Sequence, residues 1–161
     1  VYAIVLVALY ISFHFIWMIG KIPSESMEPT LMTHDWTIGS RTIYKDEMPK
    51  RGDIVIFYSD EEQETMVKRV IGLPGETITF VGGHVYVDGE RLDESAYLDD
   101  SVVTEPGEQD KFVVPDGCIF VLGDNREVSY DARYWENPYI SQDKIQSDVE
   151  VVIPFHKLPW F

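Results

Sequence analysis

The sequence has one cysteine in 161 residues, Cys118. No intrachain disulfide can form, and a lone cysteine fixes no redox compartment. Cys118 sits in the apolar stretch GCIFVLG, where it reads as a small buried hydrophobe. Basic charge is also scarce. Against 28 Asp and Glu there are 13 Lys and Arg, a net charge of −15. Nucleic acid is not an expected partner, because phosphate binding needs a basic face. The acidic surface reads as a solubility trait. Histidines at metal-ligand spacing are missing. His14, His34, His84 and His156 stand apart, and no His-Glu-x-x-His helix exists. Neither a metal nor a cofactor is expected. A Gly-x-Ser-x-Gly elbow is missing too, so a Ser-His-Asp triad built on His34 or His156 has no local support. There is no internal repeat and no low-complexity tract.

Residues 1–20, VYAIVLVALYISFHFIWMIG, contain no Asp, Glu, Lys or Arg. A helix of that length spans ~30 Å, the thickness of a bilayer's hydrocarbon core. Tyr2, Tyr10 and Trp17 suit the interface. A cleavable signal peptide has a shorter apolar core and ends at a small-x-small site. Here the run ends in WMIGKIP. The expected element is an uncleaved transmembrane anchor over residues 1–20, with a buried helix as the alternative. The chain opens without Met or a charged flank, so a cytoplasmic start is expected to precede it.

The remainder is rich in glycine- and proline-bounded β signals. DIVIFYS (53–59), MVKRVIGL (66–73), ETITFVG (76–82), HVYVDGERL (84–92), KFVVP (111–115), CIFVLGD (118–124) and DVEVVIPF (148–155) read as strands. Asp88-Gly89 suits a two-residue hairpin turn. SQDKIQS (141–147) suits one or two helical turns. Residues 93–110 are acidic and poor in apolar side chains, and read as a loop excursion. At 45% hydrophobic residues the chain can build one core. The expected architecture is mainly β, a barrel-like or sandwich core behind the N-terminal helix. The core covers about 21–81 and 113–161, with a small β-ribbon inserted at about 82–112.

Three stretches carry possible chemistry. IPSESMEPTL (22–31) places Ser24 and Ser26 two positions apart between Pro23 and Pro29. Prolines restrict φ and hold the serines in fixed relation. In TMVKRVIGLPG, strand alternation puts Met66, Lys68 and Val70 on one face and Val67, Arg69 and Ile71 on the other. If Lys68 faces inward, desolvation favours its neutral amine. A neutral amine can take a serine proton, the Ser-Lys form of nucleophilic catalysis. The bland alternative is a lysine whose head snorkels to water. The third stretch, LGDNREVSYDAR (122–133), brings Asp124, Asn125, Ser129, Asp131 and Arg133 together. It reads either as a polar loop with an Asp–Arg pair or as a shell that orients a catalytic amine.

Taken together and in this order, PSESMEPTL, RGDIVIF (51–57), VKRVIGLPGE (67–76) and GDNREVSYDAR (123–133) behind an apolar leader resemble the bacterial type I signal peptidases. These are membrane-anchored Ser-Lys proteases that remove signal peptides. The resemblance covers most of the chain. With one span and a short insert, it is nearest to the single-membrane, Gram-positive type.

The resemblance implies a signal-peptidase/LexA-like β-barrel-type catalytic core on the extracytoplasmic side of the plasma membrane. It implies Ser26 as nucleophile and Lys68 as general base. Ser24 and the Ser26 N–H would form the oxyanion site. Ser129 would hydrogen-bond the Lys68 amine, with Asp124, Asp131 and Arg133 holding that shell. Ile22, Pro23, Met66 and Val67, with Val70, would line apolar pockets for small side chains one and three residues before the cut. Met27, Leu31, Met32 and Trp36 are candidates for a lipid-touching rim, or for core. Expected partners are secretory preproteins, the lipid bilayer and, through the acidic excursion, the translocation machinery. Glu25, Val128 and Ala132 depart from the residues frequent in relatives, without removing a catalytic atom. Two other functions remain open. One is a catalytically silent relative that acts as a pilin-assembly chaperone. The other is a self-cleaving repressor peptidase, which the apolar leader and the lack of a DNA-binding segment disfavour.

Overall fold

The computed structural model describes residues 2–157, without the side chain of His156. Val1, residues 158–161 and the His156 side chain considered above therefore lie outside the described residues. Helix α1 covers Tyr2–Ile16 and buries none of its residues. Strand β1 (Trp17–Lys21) follows directly. The apolar run is thus not one helix to Gly20. Residues 17–21 pair antiparallel with β2 (Trp36–Ser40), from Trp17 opposite Ser40 to Lys21 opposite Trp36. That ladder supplies these residues with the hydrogen bonds a helix would have given. Arg41 closes the helix end, its N–H donating to the Ile16 carbonyl and its Nε to that of Trp17. Fifteen helical residues rise only about 22 Å. Among the described residues no helix is long and apolar enough to cross a membrane.

The other strands are β3 (Ile54–Ser59), β4 (Glu64–Gly72), β5 (Thr77–Val81), β6 (His84–Val87), β7 (Glu90–Arg91), β8 (Lys111–Val113), β9 (Cys118–Leu122), β10 (Tyr139–Ser141), β11 (Ile145–Asp148) and β12 (Val151–Ile153). They form three sheets, ordered β1-β2-β12, β10-β9-β4-β3-β11 and β7-β6-β5-β8. The strand signals read from sequence fall on β3–β9 and β12, whereas β11 occupies residues that were expected to be helical. Asp88 and Gly89 both have positive φ, as the hairpin required. Of the patch at 141–147 only Gln142–Lys144 is helical, a single 3-10 turn, while Ser141 ends β10 and residues 145–147 belong to β11. The strands β1, β2 and β10 carry no alternation strong enough to have been read.

Two apolar clusters fill the interior. The larger includes Val55, Phe57, Val70, Ile71, Ile78, Phe120 and Leu122. The smaller joins Ile22, Met27, Leu31, Ile56 and Val67. Met27 and Leu31 are wholly buried here, so they belong to core rather than to a lipid-touching rim. Trp36 stays exposed, beside Val151, Val152 and Ile153 of the neighbouring strand. Strand β4 is buried on both faces from Val67 to Gly72, which is why apolar residues run through it without a break.

The acidic excursion forms no strand or helix between Leu92 and Asp110, yet it is tied to the core. Arg126 holds Glu94 at 2.5 Å and Thr104 Oγ1 at 2.6 Å. The Tyr97 ring lies 3.9 Å from the Arg69 guanidinium carbon.

Gly39 in β2 marks the closest approach of the small sheet to β11. A Cβ there would stand 1.8 Å from the Asp148 carbonyl oxygen and 2.5 Å from Ser147 Oγ. Backbone cannot yield as a flexible side chain does. Gly39→Ala is expected to cost about 3 kcal/mol, read as a lowered urea midpoint; an unchanged midpoint would contradict this packing.

Candidate active site

The serine-bearing loop joins β1 to β2 and is pinned at both ends. Ile22 N–H donates to the Asp35 carbonyl at 2.8 Å, and His34 N–H to the Ile22 carbonyl at 2.9 Å. Inside the loop, Leu31 N–H donates to the Met27 carbonyl at 2.9 Å. Ile22 and Met27 are both buried in the smaller cluster. Ser24 and Ser26 therefore sit on a short bridge between two apolar anchors. Ser24 is exposed and Ser26 half-buried. Ser24 Oγ donates to Ser26 Oγ at 3.4 Å.

Lys68 comes from β4, 42 residues away. Its residue is 3% exposed. Nζ stands 2.9 Å from Ser26 Oγ and donates at 3.2 Å to the Val67 carbonyl. Burial pushes its pKa down to about 8, against the opposing pull of Asp131 and Glu64. The inward orientation that the strand alternation left open is the one observed.

The loop after β9 carries the polar residues. Arg69 grips Asp124 with two bonds, 2.8 and 2.6 Å. Arg133 grips Asp131 at 2.8 and 3.0 Å, and Gly123 N–H donates to the same carboxylate at 2.9 Å. Asn125 reaches across to the serine loop. Its N–H donates to the Ser26 carbonyl at 3.1 Å and its Nδ2 to the Glu25 carbonyl at 3.1 Å. Gly123 lies between the two loops. A Cβ there would stand 2.4 Å from the Ser26 carbonyl oxygen and 2.1 Å from Ser129 Oγ. Ser129 Oγ is buried and has no hydrogen-bond partner. The expected bond from Ser129 to Lys68 is absent, and Nζ bonds Ser26 and Val67 instead.

Ile22, Pro23, Met66 and Val67 line one cleft of about 350 Å³ with Ser24, Ser26 and Lys68. Val70, expected beside them, is wholly buried in the larger cluster instead. Met18, Gly20, Thr37 and Ile56 also line the cleft and were not anticipated. Three of these lie on β1–β2, whose pairing carried no strong sequence signal. Asn125 and Arg69 were seen only as loop and strand residues; their partners lie 100 and 55 residues away. His34 is exposed, and no group of side chains suited to a metal ion occurs among the described residues.

An antiparallel β fold that sets a serine hydroxyl against a buried amine, with no histidine beside them among the described residues, has the form of the β-rich serine peptidases that dispense with histidine. The chain belongs to the signal peptidase family, peptidase S26, whose sequence profile matches residues 1–154. It is similar to a signal peptidase I of Leptolyngbya laminosa, 41% identical over 122 residues, which cover 71% of this chain and 58% of that one. It is similar to a signal peptidase I of Bacillus caldolyticus, 35% identical over 131 residues, covering 75% of this chain and 71% of that one. The crystal structure of a signal peptidase I from Enterococcus faecalis V583 superposes with a TM-score of 0.53 at 30% identity, covering 65% of this chain and 98% of that one. The chain spans 53–60% of the length of the first three curated relatives it matches.

The Arg69–Asp124 pair is almost fully enclosed, with side chains 9% and 0% exposed. Asp124→Asn leaves the guanidinium short of its counter-charge in the interior. It should lower unfolding stability by about 3–5 kcal/mol, measured by urea denaturation. A loss under about 1 kcal/mol would show that the pair is solvated after all.

Proposed function

We infer that the chain is a signal peptidase that removes N-terminal signal peptides from exported preproteins by a Ser26–Lys68 dyad. The observation that carries this reading is the 2.9 Å approach of Lys68 Nζ to Ser26 Oγ. Above its pKa the Lys68 amine is neutral, and its lone pair accepts the Ser26 proton as Oγ attacks the scissile carbonyl. The carbonyl oxygen becomes an oxyanion, which accepts bonds from the Ser24 hydroxyl and the Ser26 N–H. Collapse breaks the C–N bond. The leaving amine takes the proton from Lys68. Water then gives a proton to Lys68 and its oxygen attacks the acyl-serine ester; as the ester C–O bond breaks, Lys68 returns the proton to Ser26 Oγ. Ser129 Oγ is buried and unpaired rather than bonded to Lys68, so no role in steadying the amine is assigned to it. Asp124, Asp131 and Arg133 hold its loop. A silent pilin-assembly chaperone would need no such approach between Ser26 and Lys68.

Substrate binds extended beside Ile22–Pro23 and Met66–Val67. The narrow cleft excludes large side chains before the cut. Helix α1, the head of the apolar run, serves as the membrane anchor, and the chain from Trp17 onward, whose first strand pairs with β2, forms the extracytoplasmic peptidase domain at the plasma membrane. The support is the uncharged surface of α1, none of whose residues is buried, together with exposed Trp36 and Val151–Ile153 on the sheet that follows it. That surface would rest in lipid. It also places Ser26 close to where a signal peptide leaves the bilayer. The acidic stretch 93–110 is the candidate contact for the translocation machinery.

Ser26→Ala and Lys68→Ala are each expected to lower preprotein cleavage by roughly 10³-fold or more. For the wild-type chain, kcat/KM should rise about tenfold per pH unit below pH 8 and level off above it, because the working base is the deprotonated amine. Near-full activity of Lys68→Ala in a gel-shift processing assay would refute the dyad.

A further inference from the structure

Four polar residues that the proteolytic reading does not use line the cleft beside Ser26, and of these Lys21, Glu64 and Thr65 are exposed while Thr37 is buried. Thr37 lies in β2 and is 1% exposed, and it lines the cleft together with Ile22, Ile56, Met66 and Val67. Its Oγ1 donates to the Gly20 carbonyl at 3.4 Å, a long bond. A hydroxyl can also accept two hydrogen bonds. Among the described residues Thr37 Oγ1 accepts none from another side chain. A buried polar group surrounded by apolar ones is costly to leave short of partners.

The space next to this hydroxyl exists for one reason. Gly20 stands directly opposite Thr37 in the β1–β2 register. A Cβ on Gly20 would come within 3.3 Å of Thr37 Oγ1 and 3.9 Å of Ile56 Cδ1. Any residue with a side chain would fill the gap and cover the hydroxyl. Its φ is not in the left-handed region, so the backbone does not require glycine here. The glycine leaves a small recess, and the threonine puts one acceptor in it.

We propose that Thr37 and Gly20 form a polar recess that reads a small hydroxyl-bearing side chain, serine or threonine, upstream of the scissile bond. The substrate hydroxyl donates to Thr37 Oγ1, while Thr37 continues to donate to the Gly20 carbonyl. Exclusion by size cannot separate serine from alanine, which are nearly the same volume. A buried acceptor among apolar neighbours can, because an alanine there leaves it unpaired. This inference rests on the proteolytic reading above and adds to it a residue preference at one position.

The test uses the full chain in detergent and a series of signal-peptide substrates. Each carries alanine at all four positions before the cut, or serine at one of them in turn. One position should show a serine-to-alanine ratio of kcat/KM of roughly three- to tenfold, the worth of one hydrogen bond. Thr37→Val should bring that ratio to about one whatever its absolute rate, whereas Thr37→Ser, which keeps the hydroxyl, should retain it. Gly20→Ala should also abolish the ratio by covering the recess. Cleavage of the all-alanine substrate with no serine preference at any position would overturn the recess and leave the protease reading intact. So would a preference that survives Thr37→Val. Failure to cleave any substrate in the series would overturn both.

Discussion

The burial of one lysine amine against one serine hydroxyl is the constraint around which this molecule is arranged. A shift from 10.5 to about 8 for Lys68 corresponds to about 3 kcal/mol between the charged and neutral forms. Desolvation sets its direction. Asp131 and Glu64 pull the other way but do not win. The reason is placement. Asp131 spends its carboxylate on Arg133 and the Gly123 N–H, so its charge is largely answered before it reaches the amine. Apolar packing from Ile22, Met27, Leu31, Ile56 and Val67 keeps water away on the serine side.

The same arrangement accounts for how an acidic chain uses its few cations. Arg69, Arg126 and Arg133 are all buried and all paired with carboxylates. They tie β4, the loop after β9 and the acidic excursion into one body. Glu94 and Tyr97, which in sequence look like ordinary members of an acidic loop, reach inward to Arg126 and Arg69. The excursion is thereby coupled to the loop that touches Ser26 through Asn125.

Much of this was legible beforehand. Alternation in MVKRVIGL placed Lys68 and Arg69 on opposite faces, and the structure sends one to Ser26 and the other to Asp124. The Asp88-Gly89 turn and most strands followed from local chemistry. What escaped was set by distant partners. Trp17–Lys21 is apolar enough to continue a helix, and only pairing with Trp36–Ser40 makes it a strand. Thr37 carries no signal of its own until Gly20 is seen opposite it. Gly123 reads as a turn glycine until the Ser26 carbonyl and Ser129 are seen against it. Ser129 was expected to bond Lys68, and its hydroxyl is unpaired instead. Short-range patterns report periodicity; they do not report which loop arrives from across the sheet.

The most direct measurement is the rate at which an acylating electrophile modifies the chain, followed by peptide mapping across pH 6 to 10. If the hydroxyl is activated by a desolvated amine, the adduct forms on Ser26 and its rate climbs to a plateau with a midpoint near 8. Modification centred on another residue, or a Ser26 rate that is the same at pH 6 and pH 9, would contradict the account.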